Sequence, residues 1–195
     1  IAAQGWPGVT VLMEDAFGAP EVGLVRAPYQ AARERTGIGE VDMDIMHLDT
    51  WFNFVDEDLV VAHKELVENT TVDIYERTGD EGRPYELTRP DVNFGEYIQD
   101  ERGFEVVDAV ELVDHEHEEA DAALKAITNF LTLGPRRILP VRFEESEDDV
   151  MTRFIQTMKE DYDVEIVPDG EGRKIKNLRG GYGAIHCMTT PIRRV

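Results

Sequence analysis

The sequence predicts an α/β fold built from repeated strand–strand–helix–strand (ββαβ) modules. Two observations support this prediction. A hairpin signal, in which two apolar runs flank a short polar or Gly-Pro connection, occurs twice along the 195 residues. Each hairpin is followed by a stretch with helical apolar spacing and then by a short apolar run typical of a strand. About two and a half modules are visible, within a single domain that spans residues 1–195.

The first complete module opens with apolar runs at residues 50–55 and 59–63, separated by Asp-Glu-Asp, which predict a hairpin. The next stretches are predicted to be a strand, a loop, a helix and a returning strand, at residues 71–75, 79–84, 91–101 and 104–110. The strand at 71–75 is expected to extend the sheet of the hairpin. An earlier run, residues 22–26, is expected to be the last strand of a preceding module.

The second module repeats this order, at an offset close to the separation of Trp51 from Ile127. Residues 127–133 and 138–143 flank a Gly-Pro turn and predict the second hairpin. Ser146 and Asp149 resemble a capping box at the start of a helix. The helix is expected to carry an apolar core stripe of Val150, Met151, Phe154, Ile155 and Met158. A strand, a loop and the first strand of a final module are expected at residues 164–167, 168–176 and 184–190.

The charge is strongly negative, with 41 Asp and Glu against 20 Lys and Arg, a net charge of −21. Such a chain repels itself in dilute buffer, and salt removes most of that repulsion because the Debye length falls to about 3 Å at 1 M. The composition therefore favours a protein adapted to a high-salt cytoplasm, with an ordinary acidic protein as the alternative. Nucleic acid is not an expected partner, because no basic stripe is available to neutralise phosphates.

One cysteine excludes an internal disulfide framework and favours a reducing, cytoplasmic compartment. No apolar run is long enough to cross a bilayer, so no membrane association is expected. The N-terminus lacks the pattern of a signal peptide. It also lacks an initiator Met, which suggests that the chain begins within a longer protein.

The single cysteine, Cys187, lies in a glycine-containing run at residues 179–194. A lone cysteine is usually a small buried apolar residue, whereas a nucleophilic one needs a lowered pKa or an adjacent base. His47 and Asp49 are two residues apart, so on an extended segment they share a face and could complete such a site. His186 cannot share a face with Cys187 on a regular strand. These residues alone leave both interpretations of Cys187 open.

His115 and His117 lie in an acidic stretch and have the spacing of metal ligands on a strand. Nothing elsewhere in the sequence completes a ligand set, so a solvated acidic face is the preferred interpretation. No metal and no cofactor are expected.

Three stretches, residues 46–56, 127–135 and 179–193, give the chain a resemblance to the arginine deiminases, a family of guanidino-group-modifying enzymes. The first contains Met-His-Leu-Asp-Thr and the third contains Arg-Gly-Gly followed by His-Cys-Met-Thr. Two upstream acidic motifs of the family, similar to R-D-P and E-G-G-D, do not occur in the chain. The resemblance therefore implies the C-terminal half of such an enzyme, with the N-terminal modules missing.

The resemblance implies an α/β propeller of the pentein type, in which five ββαβ modules surround a central site. Residues 1–195 would form the C-terminal part of one catalytic domain. The implied substrate is L-arginine, which Cys187 would attack while His47 serves as acid and base. Asp49 would bind the guanidinium, Arg179 the substrate carboxylate, and Gly180 and Gly181 would let the backbone approach the ligand.

Two alternatives remain beside arginine hydrolysis. One is a hydrolase or amidinotransferase that acts on agmatine or a methylated arginine, because residues 182–185 depart from the family pattern. The other is an inactive fragment that binds a guanidino ligand or regulates a partner, since an incomplete ring leaves sheet edges open. Assembly into a homo-oligomer is left open as well.

Overall fold

The structure is a computed structural model that describes residues 20–26, 48–79, 85–112, 127–140 and 148–167. Within these ranges the chain forms three sheets of three strands each, together with a few helices, so the predicted α/β class is confirmed. The described strands are β1 (Glu21–Val25), β2 (Phe52–Phe54), β3 (Leu59–Ala62), β4 (Thr71–Arg77), β5 (Tyr85–Asn93), β6 (Glu105–Asp108), β7 (Leu131–Gly134), β8 (Arg137–Leu139) and β9 (Glu165–Ile166). The described helices are α1 (Lys64–Glu68), α2 (Phe94–Glu96) and α3 (Asp148–Glu160), with 3₁₀ turns at Leu48–Thr50 and Ala109–Leu112 and a π-helical turn at Tyr97–Glu101.

Two of these sheets share one strand order and one pairing pattern. In the first, β2 pairs antiparallel with β3, and β3 pairs parallel with β6. In the second, β7 pairs antiparallel with β8, and β8 pairs parallel with β9. Each is a hairpin joined by a later parallel strand after a crossover that contains a helix. Both predicted hairpins and both returning strands are therefore confirmed, and we call the two the first and second ββαβ units.

The expectation for residues 71–75 was wrong in one respect. They form a strand, β4, but β4 pairs antiparallel with β1 and β5 in a third sheet instead of extending the first hairpin. Helix α1, which the sequence pattern did not predict, turns the chain away from the first hairpin before β4 begins. Strand β1 confirms the predicted strand at 22–26, displaced by one residue, while its place in a preceding module stays a prediction.

The helix expected at residues 91–101 begins three residues later than predicted. Residues 91–93 complete β5, and Asn93 caps α2 by accepting a hydrogen bond from the amide of Glu96 at 3.0 Å. Strand β5 itself was not predicted. It is an edge strand with mostly exposed side chains and it contains Pro90, a residue that suits an edge and obscures the strand pattern.

The first strand of the second hairpin is shorter than predicted. Residues 127 and 128 are helical, β7 begins at Leu131, and the part of the second run beyond residue 140 lies outside the described residues. The predicted apolar helix is confirmed as α3, whose core face carries buried Met151, Phe154 and Met158. The predictions for Ser146, for the loop at 168–176 and for the strand at 184–190 also lie outside the described residues.

Successive side chains of β3 point into two different apolar clusters, as a strand buried on both faces requires. Leu59 and Val61 belong to a cluster that also contains Phe130 and Phe154 of the second unit. Val60 and Ala62 belong to a cluster formed with residues of β2, α1, β4, α2 and the π-helical turn. The two ββαβ units therefore share one core, in which α3 packs against residues of both hairpin sheets.

Candidate active site

Asp49 is the predicted site residue that the structure describes. It lies half-buried in the 3₁₀ turn Leu48–Thr50, immediately before β2, and Thr50 beside it is buried. This position places its carboxylate at the end of the first hairpin, at the entry to β2. The predictions for the other site residues lie outside the described ranges, namely those for His47, Arg179, Gly180, Gly181 and Cys187.

The turn that carries Asp49 is followed by Trp51, whose ring packs against two phenylalanines. The amide of Trp51 donates to the carbonyl of Leu48 at 3.1 Å and closes the turn. The buried Trp51 ring makes edge contacts with Phe52 and Phe94, at centroid distances of 6.4 and 6.3 Å. The carbonyl of Trp51 accepts a hydrogen bond from the amide of His63 at 2.8 Å, which ties the turn to the end of β3. The backbone on the C-terminal side of Asp49 is therefore fixed by packing and hydrogen bonding.

A second restraint on Asp49 comes from the other ββαβ unit. The side-chain Nδ2 of Asn129 donates to the backbone carbonyl of Asp49 at 3.3 Å. Asn129 is 1% exposed, and it lies between the short helical segment at 127–128 and β7. An amide this deeply buried is stable only when its polar atoms are bonded, so the contact links the two units at the candidate site.

The segment around Asn129 is held in turn by the first unit. Nδ2 of Asn53, on β2, donates to the carbonyls of Thr128 and Phe130 at 2.7 and 2.8 Å. Asn53 is itself buried, at 7% exposed. One side chain thus binds the carbonyls of the residues before and after Asn129. Each asparagine reaches from its own unit to the backbone of the other.

Further contacts join the same two segments of the chain. We call the contacts of residues 49–58 with residues 128–136 the seam. Oγ1 of Thr132 donates to the carbonyl of Phe54. At the far end, the Arg136 guanidinium binds the Asp58 carboxylate at 2.6 and 2.7 Å and lies 3.5 Å from that of Asp56. The seam therefore runs from the Asp49 turn to the hairpin loop at 56–58.

Among the described residues, the groups with shifted pKa values lie on the third sheet, directly after β1, on the π-helical turn and after α3. Burial raises the pKa of Tyr97 and of Tyr162. A hydrogen bond from Arg89 holds the pKa of Glu101 below its ordinary value. Arg89 and Glu101 pair with each other, so this shift reports an ion pair that supports the fold.

The chemistry available at Asp49 is that of a partly buried carboxylate on a fixed turn. A carboxylate can accept two parallel charge-assisted hydrogen bonds from a planar guanidinium, and this geometry selects such groups over a point charge. Among the described residues, no group of three or more His, Cys, Asp or Glu side chains could hold a metal ion. His115 and His117 lie outside the described ranges. Helices that the structure describes include none long and apolar enough to cross a membrane.

Sequence reasoning missed Asn53 and Asn129. Both are polar residues inside apolar runs, in Phe-Asn-Phe and Thr-Asn-Phe, where a buried amide needs specific partners. They are also separated by the same number of residues as Trp51 and Ile127, the offset of the predicted repeat, although Asn53 lies within β2 and Asn129 precedes β7. This coincidence was the signal that could have identified them.

Two comparisons with known proteins agree on one family. Residues 40–194 match the sequence model of a family described as arginine deiminase. A protein described as arginine deiminase from Halobacterium salinarum is 67% identical over 189 residues. That alignment covers 96% of this chain but 39% of the relative, so the chain spans less than half of the relative's length. The matched stretch 40–194 includes the six predicted site residues and both asparagines.

Proposed function

The chain belongs to the arginine deiminase family, and on this premise we propose that it contributes to hydrolysis of L-arginine to L-citrulline and ammonia. The observation that carries the proposal is the family match over residues 40–194, which includes the predicted nucleophile, acid–base residue and guanidinium-binding carboxylate in one stretch. The identity of 67% to an arginine deiminase supports it further. The position of Asp49, on a turn braced by both ββαβ units, is consistent with a binding carboxylate.

The first half of the proposed reaction forms a covalent intermediate. The thiolate of Cys187 would add to the guanidinium carbon of arginine, giving a tetrahedral adduct. His47 would donate a proton to one nitrogen as its bond to that carbon breaks, which releases ammonia. The product of this half is a thiouronium, in which the carbon of the substrate is bonded to the sulfur of Cys187.

Water completes the reaction in the second half. His47, now neutral, would accept a proton from water as the water oxygen adds to the same carbon. Breakage of the carbon–sulfur bond would then return the Cys187 thiolate and release citrulline. Throughout, Asp49 would hold the guanidinium by paired hydrogen bonds and Arg179 would bind the substrate carboxylate. Gly180 and Gly181 would allow the backbone to lie close to the ligand.

The same premise supports a proposal for the whole fold. We propose that the two ββαβ units are neighbouring modules of a pentein-type α/β propeller of five modules, and that the chain forms the C-terminal part of this one catalytic domain. Their common strand order and shared core support the arrangement. The single cysteine and the charge of −21 are consistent with a reducing, high-salt cytoplasm.

The test is citrulline release from L-arginine by the full-length protein that contains this sequence. We expect Cys187→Ala to lower kcat by at least about 1,000-fold, because the variant lacks the thiolate that forms the covalent intermediate. Circular dichroism of the variant checks that the fold is retained. Acid-quenched mass spectrometry of the wild type should detect the arginine-derived adduct on Cys187. Wild-type turnover by the Cys187→Ala variant would contradict the proposal.

A second candidate function follows from the partial coverage of the relative. Because the chain spans 39% of that protein, the 195 residues alone could bind a guanidino ligand without turning it over. Thermal unfolding of the 195-residue chain with and without arginine, followed by a citrulline assay, separates the two functions. Stabilisation by arginine without citrulline favours the binding function. Turnover of agmatine in preference to arginine would instead assign a related guanidino substrate.

A further inference from the structure

We propose that Asn129 is a positioning residue for Asp49, and that a reciprocal pair of asparagines, Asn53 and Asn129, sets the geometry of the candidate site across the seam. The inference rests on the proposed function in that it assigns Asp49 to the guanidinium of the substrate. The contacts that support it lie wholly in the described residues.

The backbone around Asn129 is held in place by the Asn53 side chain. The Asn53 amide binds the carbonyls of both neighbours of Asn129, at 2.7 and 2.8 Å. These distances are short for amide hydrogen bonds, and the donor is buried, so each bond is shielded from competing water. Because two bonds from one planar amide restrain both flanking carbonyls, the direction of the Asn129 side chain is defined by the first ββαβ unit.

Asn129, held in this way by Asn53, in turn binds the turn that carries Asp49. Its Nδ2 reaches back to the first unit and donates to the carbonyl of Asp49 at 3.3 Å. The turn at Leu48–Thr50 is only three residues long, and the bond from the Trp51 amide to Leu48 fixes its ends. The Asn129 bond acts on the middle peptide, which carries Asp49. Rotation of that peptide would swing the Asp49 side chain away from its direction.

The bonding of the two buried asparagine amides favours a positioning role over simple packing. An apolar side chain would fill either place without the desolvation penalty of a buried amide. Each unit nevertheless carries a buried Asn at the seam, and both amides bind backbone carbonyls of the other unit. The pair thus couples the spacing of the units to the orientation of the Asp49 peptide. This orientation matters because a catalytic or binding group misplaced by about 1 Å can lower an enzymatic rate about 100-fold.

The proposal predicts a specific split of kinetic constants. Loss of folded protein lowers kcat per total protein and leaves KM unchanged, because the molecules that remain folded bind substrate normally. A misdirected Asp49 instead weakens guanidinium binding and raises KM. We therefore expect Asn129→Ala and Asn129→Leu to raise the KM for arginine by about 10-fold. Leu has a shape close to that of Asn and no polar atoms, so the Leu variant removes the donated hydrogen bond without leaving a cavity or burying a charge.

The matched control is Thr132→Val. It removes a side-chain donor to a backbone carbonyl across the same seam, but to Phe54, which lies away from the Asp49 turn. We expect its KM to stay within about twofold of wild type even where its unfolding temperature falls. All variants are made in the full-length protein that contains this sequence, with citrulline release and thermal unfolding measured on the same samples. If Asn129→Ala does not fold because of the cavity, Asn129→Leu carries the test.

The outcomes separate this inference from the proposed function. Absence of citrulline with the wild-type protein defeats the proposed function, and the inference fails with it. Wild-type turnover with an unchanged KM in both Asn129 variants overturns the inference alone. An equal rise of KM in Thr132→Val also overturns it, since the effect would then belong to the seam as a whole. A rise confined to the Asn129 variants supports it.

Discussion

Asp73 joins the three strands of the third sheet through one carboxylate. On β4, its Oδ1 accepts from the amide of Asp91 at 2.9 Å and its Oδ2 from the guanidinium of Arg26 at 2.8 Å. Burial by itself would raise the pKa of Asp73, but these hydrogen bonds outweigh burial and hold that pKa below its ordinary value. The ionised carboxylate therefore stabilises the folded state.

This shift predicts a pH-dependent effect of Asp73→Asn. A lowered pKa in the folded state contributes stability above the unfolded value, near pH 4, and the contribution is lost as pH falls through the folded pKa. Since Asn imitates the protonated acid, we expect the variant to be less stable than wild type by up to about 1 kcal/mol at pH 7, with a smaller difference at pH 3. Urea unfolding at both pH values measures the difference.

The control for this prediction is Asp91→Asn. The Asp91 side chain is exposed and pairs with Arg26, itself more than half exposed, so its ion pair should contribute little. Asn also tolerates the positive φ of 53° at this position. A destabilisation by Asp73→Asn that is the same at both pH values would contradict the assigned role of the ionised carboxylate.

Residue-level analysis of the sequence selected residues with recognisable chemistry, whose roles stay predictions, and did not select those whose role depends on a distant partner. Asp49 was selected because residues two apart on an extended segment share a face, which would place it beside His47. The structure instead places Asp49 in a 3₁₀ turn, and His47 lies outside the described residues. Asn53 and Asn129 were not selected, since a buried amide acquires its function from the carbonyls it meets. Those carbonyls lie more than 70 residues away in the chain.

Helix α3 is the element on which the shared core of the two units depends. Phe154 is buried and stacks on Phe130 at a centroid distance of 6.2 Å, within a cluster that includes Leu59 and Val61 of β3. Its side chain therefore bridges sheets of both ββαβ units. The amphipathic spacing in the sequence identified this face because the helix period is a local property.

We expect Phe154→Ala to lower the free energy of unfolding by about 3–5 kcal/mol, the range for loss of a buried aromatic ring with a residual cavity. The matched control is Thr152→Ala on the exposed face of the same helix, which should change stability by less than about 0.5 kcal/mol. Equilibrium urea unfolding distinguishes the two. Equal midpoints for the two variants would show that α3 does not pack as the structure places it.

The charge of −21 acts on the molecule as a whole and locally on the third sheet. Glu76 of β4 lies directly opposite Glu21 of β1 on one side and Glu86 of β5 on the other. Three acidic residues therefore form a row across the sheet. Like charges directly opposite in a sheet are destabilising. Arg102 binds Glu21 at one end of this row and compensates part of its charge.

We expect the thermal unfolding midpoint to rise by at least about 5 °C between 0.1 M and 2 M KCl, because salt screens the repulsion among acidic side chains. Glu86→Gln, at an exposed position, serves as an internal check. It should raise the unfolding midpoint at low salt, since it removes the charge that repels Glu76. It should have no effect at high salt, where that repulsion is already screened. A midpoint independent of KCl would refute adaptation to high salt.

The sequence by itself determined the α/β class, the two hairpins, the core face of α3, the acidic character and the family, because each depends on local periodicity, composition or motif spacing. Tertiary structure alone decided that β4 joins β1 and β5, since strand pairing depends on which edges meet after the chain folds. It also decided that Asn129 reaches the Asp49 peptide. Hydrogen bonds between distant segments have no period along the chain, so only the packed structure brings them together.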